Sequence, residues 1–288
     1  MHGPLAPAPS PERLGAAPAR QRSDGRVRLR VGPARPGGGT RILDLAEAGP
    51  SRLRFPRGTG ALEAVLVNTA GGVACGDSFA IDLALEPGAD LVLTTTAAEK
   101  IYRSDGPVSS IANTLTLGEG AGLAWLPQET ILFDRARVRR RFEADLADGA
   151  ALIAAEVVAF GRAARGERIV DGLFADSWRI RRGGRLAYAD SVLLEGPISD
   201  HLARPAIGGG ARACATILDV SPGAEARLEE ARARLAEAAS PGTTAAASAW
   251  NGHLAVRALG DAVGPLRGLV ARFLAGYRAL PMPRVWQS

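Results

Sequence analysis

Residues Phe79–Leu85 read FAIDLAL, and the five residues that follow, Glu86–Asp90, read EPGAD. Every odd position of the first segment carries a large apolar side chain, and this two-residue alternation is typical of a strand with one buried face. Proline and glycine in the second segment supply the fixed or positive φ angles that a chain reversal needs. The two segments therefore predict a half-buried β-strand that ends in a tight turn.

Short apolar segments separated by turn residues continue on both sides of this stretch. Candidate strands lie at residues 62–67, 79–85, 90–95, 108–117, 122–126, 137–146, 151–160, 168–181 and 185–194. Two later segments, Ala224–Ala239 and Pro265–Leu280, instead have apolar residues at helical spacing and end at prolines. Because strands come first and helices last, the sequence predicts a mainly β fold with a small helical part.

The chain has 288 residues, which is enough for one large β-rich domain. Residues 1–25 are rich in proline, alanine, glycine and arginine and have almost no large apolar side chains. Such a segment buries too little surface to offset its ordering entropy. We therefore expect a disordered tail at residues 1–25 and a single domain at residues 26–288.

Composition argues against a membrane or nucleic-acid partner. No apolar run approaches the roughly 20 residues that cross a bilayer, and the proline-rich start does not resemble a signal peptide, so we expect a cytoplasmic protein. The net charge is +5, and Lys100 is the only lysine. The densest basic cluster, Arg135–Arg141, is flanked by acidic residues and has no aromatic side chains that could stack bases. This cluster is more typical of a solvated face than of a nucleic-acid site.

Four segments stand out in the first two-thirds of the chain. They are Gly71–Asp77 (GGVACGD), Thr94–Ser104 (TTTAAEKIYRS), Trp125–Phe133 (WLPQETILF) and Gly161–Glu167 (GRAARGE), and the chain closes with Pro283–Trp286 (PRVW). In this order and spacing they resemble the UreD family of urease accessory proteins, called UreH in some organisms. The residues that carry the resemblance are Gly71, Gly72, Gly76, Thr95, Lys100, Tyr102, Trp125, Pro127, Gln128, Gly161 and Arg162. The resemblance extends over roughly residues 25 to 288.

The resemblance implies a metallochaperone scaffold that is not an enzyme and that is required for nickel incorporation into the urease active site. It implies UreF, UreG and apo-urease subunits as partners, with GTP hydrolysis assigned to UreG. Nickel is then a transient cargo, and no tightly bound cofactor is expected. The family fold is a stack of short strands in a helical, superhelix-like arrangement with two α-helices near the C-terminus. Whether the chain dimerises within the complex stays open.

Four carboxylates, Asp77, Glu129, Glu156 and Glu195, are candidates for a transient nickel passage. Weak oxygen ligands suit transit better than histidine or cysteine clusters, which bind late first-row metals tightly. A structural role competes with each of them. Asp77 is also suited to cap the glycine turn, and an arginine partner for Glu156 is favoured because an unpaired buried carboxylate costs several kcal/mol.

Other chemistries are less well supported by the sequence. The glycines of the first motif lack the Gly-Lys-Ser/Thr ending of a phosphate-binding loop, so a tight turn is favoured. Lys100 as a catalytic amine is less favoured than a role in packing or partner contact. The alternative function is a β-rich hydrolase that uses Cys75 or Ser104, which requires a nearby histidine. Cys75, Cys214, His201 and His253 lack the spacing of a structural metal site.

Overall fold

The computed structural model describes residues 22–35, 38–57 and 61–287. Its strands are β1 (Asp24–Pro33), β2 (Thr40–Ala48), β3 (Ser51–Arg54), β4 (Leu62–Asn68), β5 (Ser78–Leu85), β6 (Asp90–Thr95), β7 (Glu99–Ile101), β8 (Ser109–Leu117), β9 (Gly122–Leu126), β10 (Thr130–Leu132), β11 (Arg137–Leu146), β12 (Ala151–Phe160), β13 (Leu173–Arg182), β14 (Arg185–Glu195), β15 (Ala213–Asp219), β16 (Thr243–Trp250) and β17 (His253–Gly260). Its α-helices are α1 (Ile198–Ala203), α2 (Leu228–Ala238) and α3 (Val263–Arg278), and short 3₁₀ helices lie at Ala163–Arg165, Ala224–Arg227 and Arg284–Trp286. Of the tail predicted at residues 1–25, residues 1–21 lie outside the described residues. Its last two residues, Asp24 and Gly25, belong to β1, so the domain begins slightly earlier than predicted.

Two sheets face each other across the core. The first has the strand order β14-β13-β11-β8-β5-β1-β2, and the second has the order β16-β17-β15-β12-β9-β6-β4-β3. Between β4 and β13 the chain crosses repeatedly from one sheet to the other. The strands that pair in parallel with an earlier strand of their own sheet are β5, β6, β8, β9, β11, β12 and β13. The result is a stack of solenoid-like coils, which confirms the helical arrangement of strands that the resemblance implied.

The alternation at Phe79–Leu85 has the predicted consequence. Phe79, Ile81, Leu83 and Leu85 are buried, whereas Asp82 is exposed. The same inward parity in neighbouring strands builds a core between the sheets. Residues of this core include Ile81, Leu83, Leu115, Leu123, Leu152 and Ile180.

Two helices cover the outer face of the second sheet. The segment predicted at Ala224–Ala239 forms a 3₁₀ turn followed by α2, and the segment predicted at Pro265–Leu280 forms α3, which begins two residues earlier. The buried residues of α3 are Leu266, Leu269, Val270, Phe273, Leu274 and Tyr277. The two predicted helices are therefore confirmed. No helix of the described residues is long and apolar enough to cross a membrane.

Some predicted boundaries and omissions need correction. The strand predicted at 168–181 begins at Leu173, because residues 168–172 form a loop between the 3₁₀ turn and β13. Strands β1, β2, β3, β7, β10, β15, β16 and β17 and helix α1 were not predicted. β7, β10 and α1 are too short to show a period, and β16 (TTAAASAW) has small side chains instead of the large apolar residues that mark a strand.

Candidate functional site: the motif cluster and the cavity between the sheets

The first two motifs meet where the Gly71-Gly72 turn packs against Tyr102. The Tyr102 hydroxyl donates a hydrogen bond to the carbonyl oxygen of Gly71 at 3.1 Å. A Cβ atom on Gly72, which has φ +152°, would lie 2.4 Å from the Tyr102 ring and 2.8 Å from the carbonyl oxygen of Lys100. The backbone N–H of Val73 also donates to Lys100 at 2.8 Å. Glycine is therefore required at position 72 because Tyr102 and the Lys100 backbone occupy the space of a side chain.

The third and fourth motifs join the same contact network. The rings of Tyr102 and Phe133 meet edge to face at 5.1 Å, and the Arg162 guanidinium lies over the Phe133 ring at 4.2 Å. Arg162 also donates to both carboxylate oxygens of Glu167, at 2.8 and 2.7 Å. These hydrogen bonds lower the pKa of Glu167 to about 2. Gly72, Tyr102, Phe133, Arg162 and Glu167 are called the motif cluster below.

Gly161 has a steric role beside this cluster. Its φ is +87°, and a Cβ atom there would lie 2.6 Å from the carbonyl oxygen of Glu167. The Arg162–Glu167 pair and the glycine before it therefore close one compact turn. This geometry explains why a Gly-Arg step is followed five residues later by glutamate.

A small cavity of about 140 Å³ lies beside the Gly71-Gly72 turn. Six of the residues that line it are Asn68, Gly71, Gly72, Thr95, Glu99 and Lys100. The Asn68 amide donates to both Glu99 carboxyl oxygens, at 3.2 and 3.3 Å, and to the carbonyl oxygen of Gly72 at 3.1 Å. Burial raises the pKa of Glu99 to about 7, and the hydrogen bonds from Asn68 only partly oppose this shift. Glu99 therefore titrates near neutral pH, a property that the sequence did not reveal.

The Pro-Gln-Glu part of the third motif holds the end of the chain. The Gln128 side chain donates to the carbonyl oxygen of Val285 at 2.7 Å and accepts from Arg267 at 2.9 Å. Arg267 also lies 3.5 Å from the Glu129 carboxylate. The Trp286 indole donates to the carbonyl oxygen of Leu126, which precedes the buried Pro127, at 2.9 Å. The third motif and the closing PRVW segment are thus parts of one structural unit, and Glu129 has a cationic neighbour on α3.

Glu156 belongs to a buried ion network that spans β11, β12 and β13. Arg140 donates to Glu156 at 3.0 Å and to Asp176 at 2.6 Å, and the Trp125 indole donates to Glu156 at 3.0 Å. The three charged side chains are only 8–12% exposed. Burial raises the pKa of Glu156 and the charge of Asp176 adds to the rise, whereas Arg140 opposes it. The predicted arginine partner of Glu156 is confirmed.

The interpretation of Arg135–Arg141 as a solvated face is wrong for Arg140. Val138, Phe142, Ala144 and Leu146 share its parity on β11, and all of them are buried in the structure. Arg140 therefore points between the sheets instead of into solvent. The same alternation that marked the strand would have revealed this inward arginine.

An inter-sheet cavity of about 180 Å³ is bordered by this ion network. Its polar lining includes Arg140, Glu156, Asp176, Asp190, Thr216 and Arg257. Arg257 donates to the Tyr188 hydroxyl at 2.6 Å and pairs with Asp190. Cys214 also lines the cavity, and burial raises the pKa of its thiol to about 11. When all of its carboxylates are ionised, the polar lining has one more negative than positive charge, which suits a small cation better than an anion.

The other predicted passage carboxylates lie in different environments. Asp77 accepts hydrogen bonds from the backbone N–H groups of Ser23 and Ala74, both at 2.8 Å, and so caps the glycine turn. Glu195 ends β14 with its side chain 61% exposed and lies 3.6 Å from Arg137. Within the described residues, no group of three or more histidine, cysteine, aspartate or glutamate side chains is arranged to hold a metal. Nickel ligation by these carboxylates stays a prediction.

The candidate nucleophiles have structural contacts of their own. The Ser104 hydroxyl donates to the carbonyl oxygen of Pro107 at 2.6 Å, and the Cys75 thiol donates to the Asp105 carboxylate at 2.8 Å. His253 is buried and contacts the rings of Trp250 at 4.2 Å and Tyr188 at 5.1 Å. None of these contacts is the nucleophile–base pair that a hydrolase would require.

Known proteins are similar to this chain over nearly its whole length, including the segments that form the motif cluster. The model of the UreD urease accessory protein family matches residues 23–287. The chain belongs to the UreD family. It is 99% identical over 288 residues to urease accessory protein UreD 1 of Methylobacterium radiotolerans, with 100% of both chains covered. It is 62% identical to urease accessory protein UreD 2 of Methylorubrum populi, covering 99% of this chain and 95% of the relative. It is 52% identical to urease accessory protein UreD of Azorhizobium caulinodans, covering 95% and 99%.

Membership in the UreD family confirms the resemblance drawn from the four motifs. It does not by itself assign the roles of Arg140, Asp176 and Glu99, which sequence reasoning did not single out. Asp176 lies 36 positions after Arg140, and the two meet because β11 and β13 pair in parallel. A local pattern carries no signal for such a contact, because the register between strands creates it.

Proposed function

We propose that this chain is a scaffold without catalytic activity that is required for loading nickel into urease. In this proposal it works in a complex with UreF and UreG on apo-urease, in the cytoplasm, and UreG hydrolyses GTP. The observation that carries the proposal is the family match over residues 23–287, together with relatives that are named urease accessory proteins and align over nearly their full length.

The contacts of the motif residues are consistent with a scaffold. The motif cluster and the Gln128–Val285 contact use polar and aromatic side chains to fix turns and the chain end. Large apolar side chains remain on the surface, including Leu193 at 64% and Trp250 at 48% exposure. Such groups mark a surface that binds other proteins where they form a contiguous patch.

Nickel as transient cargo is a further part of the proposal. Of the four carboxylates predicted for a passage, Glu156 lies on the wall of the inter-sheet cavity, beside Asp176. When Glu156 is ionised, the excess negative charge there favours a divalent cation, and the proximity of Arg140 opposes tight retention. Both properties suit a site that a metal ion occupies briefly.

The maturation role is tested in a heterologous host that carries the urease structural genes and the remaining accessory genes of the same organism. Urease activity and nickel content are measured with and without the gene for this chain, in medium that contains nickel. We expect both to fall to background when the chain is absent. Equal nickel loading in its absence would overturn the proposal.

A further inference from the structure

The four strands that end the two sheets are not equally protected against pairing with another chain. In the main strand order of the described sheets these are β2, β3, β14 and β16, and the three-residue β7 ends a short side branch that pairs through β10. β2 and β14 carry charged residues and lie beside register shifts, and β3 reads SRLR. β16 reads TTAAASAW, without charge or proline, and pairs with β17 without a register shift. Charges, prolines and bulges are the usual protection of a sheet edge, so β16 is an unprotected edge.

The backbone of β16 presents alternate residues to its open side. The N–H of Asp261 donates to the carbonyl oxygen of Gly242 at 2.9 Å, which fixes the parity of the antiparallel ladder. Even-numbered residues of β16 therefore bond to β17. The odd-numbered residues Ala245, Ala247 and Ala249 direct their N–H and C=O groups towards the free edge.

Open grooves lie on both sides of this edge. One, of about 420 Å³, is lined by residues of α2 and by Thr243, Ala245, Ala246 and Ala247. The other, of about 440 Å³, lies at the start of β16, and its lining includes Ile207, Thr244 and Leu259. Ile207 and Leu259 are 48% and 37% exposed. An added strand therefore has room for side chains on both faces.

The two ends of β16 are complementary to each other. Trp250, at the C-terminal end, is 48% exposed, and the groove that Ile207 and Leu259 help to line lies beside Thr244 at the N-terminal end. In an antiparallel pair that is centred on Ala247, residue 250 of one copy lies opposite residue 244 of the other. The even-numbered side chains share one face of the joined sheet, so each Trp250 would reach the groove of the other copy.

We propose that β16 pairs antiparallel with β16 of a second copy of this chain, with the two-fold axis at Ala247. Ala245 of each copy then exchanges backbone hydrogen bonds with Ala249 of the other, and the two Ala247 residues exchange a pair on the axis, for a total of about six. No charged residue of β16 faces a like charge in this arrangement. In the two-fold arrangement each Trp250 fills the groove of the other copy, so that both tryptophans and both grooves are occupied. A strand from an unrelated protein would have no reason to carry a matching tryptophan and groove. The free edge of the second sheet is thereby a dimer interface.

The experiment measures the mass of the purified full chain by sedimentation equilibrium over a range of concentrations. We expect a monomer–dimer equilibrium, with the dimer at twice the monomer mass of 29.8 kDa. Trp250→Ala should raise the dissociation constant at least about tenfold, because a buried tryptophan is a typical interface hot spot. Leu193→Ala, which removes the most exposed large apolar side chain from the edge strand β14, is the matched control and should leave the equilibrium unchanged.

A second variant tests the backbone pairing itself. Ala245→Pro removes an N–H that faces the free edge and leaves the bonds to β17 intact, so it should abolish the dimer while the circular dichroism spectrum is retained. A chain that is monomeric at every concentration would overturn the proposal, as would a dimer that is indifferent to Trp250→Ala. The proposal would also be overturned if the chain stays monomeric and pairs through β16 only with another accessory protein, because the edge would then have a different occupant.

Discussion

At the scale of single residues, Arg140 is a buried charge that its neighbours hold on both sides. It is almost enclosed and is held between Glu156 and Asp176, with a further bond to Thr130 at 3.1 Å. Although its own burial opposes the effect, the two carboxylates raise the pKa of Arg140, so it stays charged at any pH of interest. Removal of the arginine would leave two carboxylates buried together without a cation.

Arg140→Met should therefore destabilise the fold by about 3–5 kcal/mol, the usual cost of breaking a buried ion pair from one side. Glu156→Gln should cost less, because the amide keeps the size of the side chain and its single carbonyl oxygen can still accept the hydrogen bond from Arg140, whereas the bond from Trp125 to the other oxygen is lost. Urea unfolding followed by tryptophan fluorescence measures both values. Arg140→Met within about 1 kcal/mol of the original chain would show that the network adds nothing to stability.

The same Glu156→Gln change tests the proposed nickel route. We expect it to lower the nickel content and the activity of urease severalfold, because it removes one negative charge from the cavity wall. Glu195→Gln is the matched control, since Glu195 was predicted for the same route but is exposed. Assembly with the other accessory proteins should be unchanged in both variants. Loss of assembly in Glu156→Gln would point to a structural role alone.

Glu99 gives the protein a stability that depends on pH. Burial raises its pKa in the folded chain to about 7, above the value near 4.5 of an exposed glutamate. Between pH 4.5 and about 7 the folded state therefore binds more protons than the unfolded state. The stability that this protonation contributes is fully present below pH 4.5 and is lost as the pH rises to about 7. Glu99→Gln should remove this loss and make the chain more stable than the original at pH 8, by on the order of 1–3 kcal/mol.

The comparison at pH 5 and pH 8 is made by urea unfolding of both chains. A difference between the two chains that is the same at both pH values would contradict the assignment, since only a titrating carboxyl makes the difference depend on pH.

At the scale of elements, the Gly71-Gly72 turn packs against Tyr102, which directly follows β7, and its stability depends on that contact. Gly72→Ala should destabilise the fold by about 1–3 kcal/mol, because its Cβ atom meets the Tyr102 ring. Gly71→Ala is the matched control. Its φ of +77° is also strained, but a Cβ atom there meets nothing within 4 Å, so it should cost only the backbone term of about 1 kcal/mol.

Thermal unfolding of the two variants, and of Gly72→Ala in a Tyr102→Ala background, separates steric clash from backbone strain. If the clash is the cause, the Tyr102→Ala background should recover part of the loss. An equal cost in both backgrounds would assign the requirement for glycine to the backbone alone.

Elements with a strong period could be predicted from the sequence. β5 has alternating apolar residues and β12 has a nearly continuous apolar run, and both patterns predict a strand. α3 has six buried residues at helical spacing. β16 could not be found in this way, because its small side chains leave no contrast between its two faces. β13 was extended too far towards its start because Ile169 and Val170 are apolar although they lie in a loop.

At the scale of the whole molecule, crossing between two sheets creates the contacts that the sequence does not display. Arg140, Glu156 and Asp176 lie on β11, β12 and β13, and they meet only because β12 lies in the opposite sheet and β11 pairs with β13. The resemblance implied the stacked arrangement, and the apolar stretch around Glu156 marked that residue. The partner of Glu156 and the cavity depend on the register of strands, which only the structure supplies.

The claim at this scale is that the whole chain acts as an obligatory scaffold in urease maturation. The most direct measurement reconstitutes activation from purified apo-urease, UreF, UreG, nickel and GTP, and determines nickel per urease active site with and without this chain. The account predicts that nickel incorporation needs the chain and that the chain alone neither hydrolyses GTP nor activates urease. Full nickel incorporation in its absence would contradict the account.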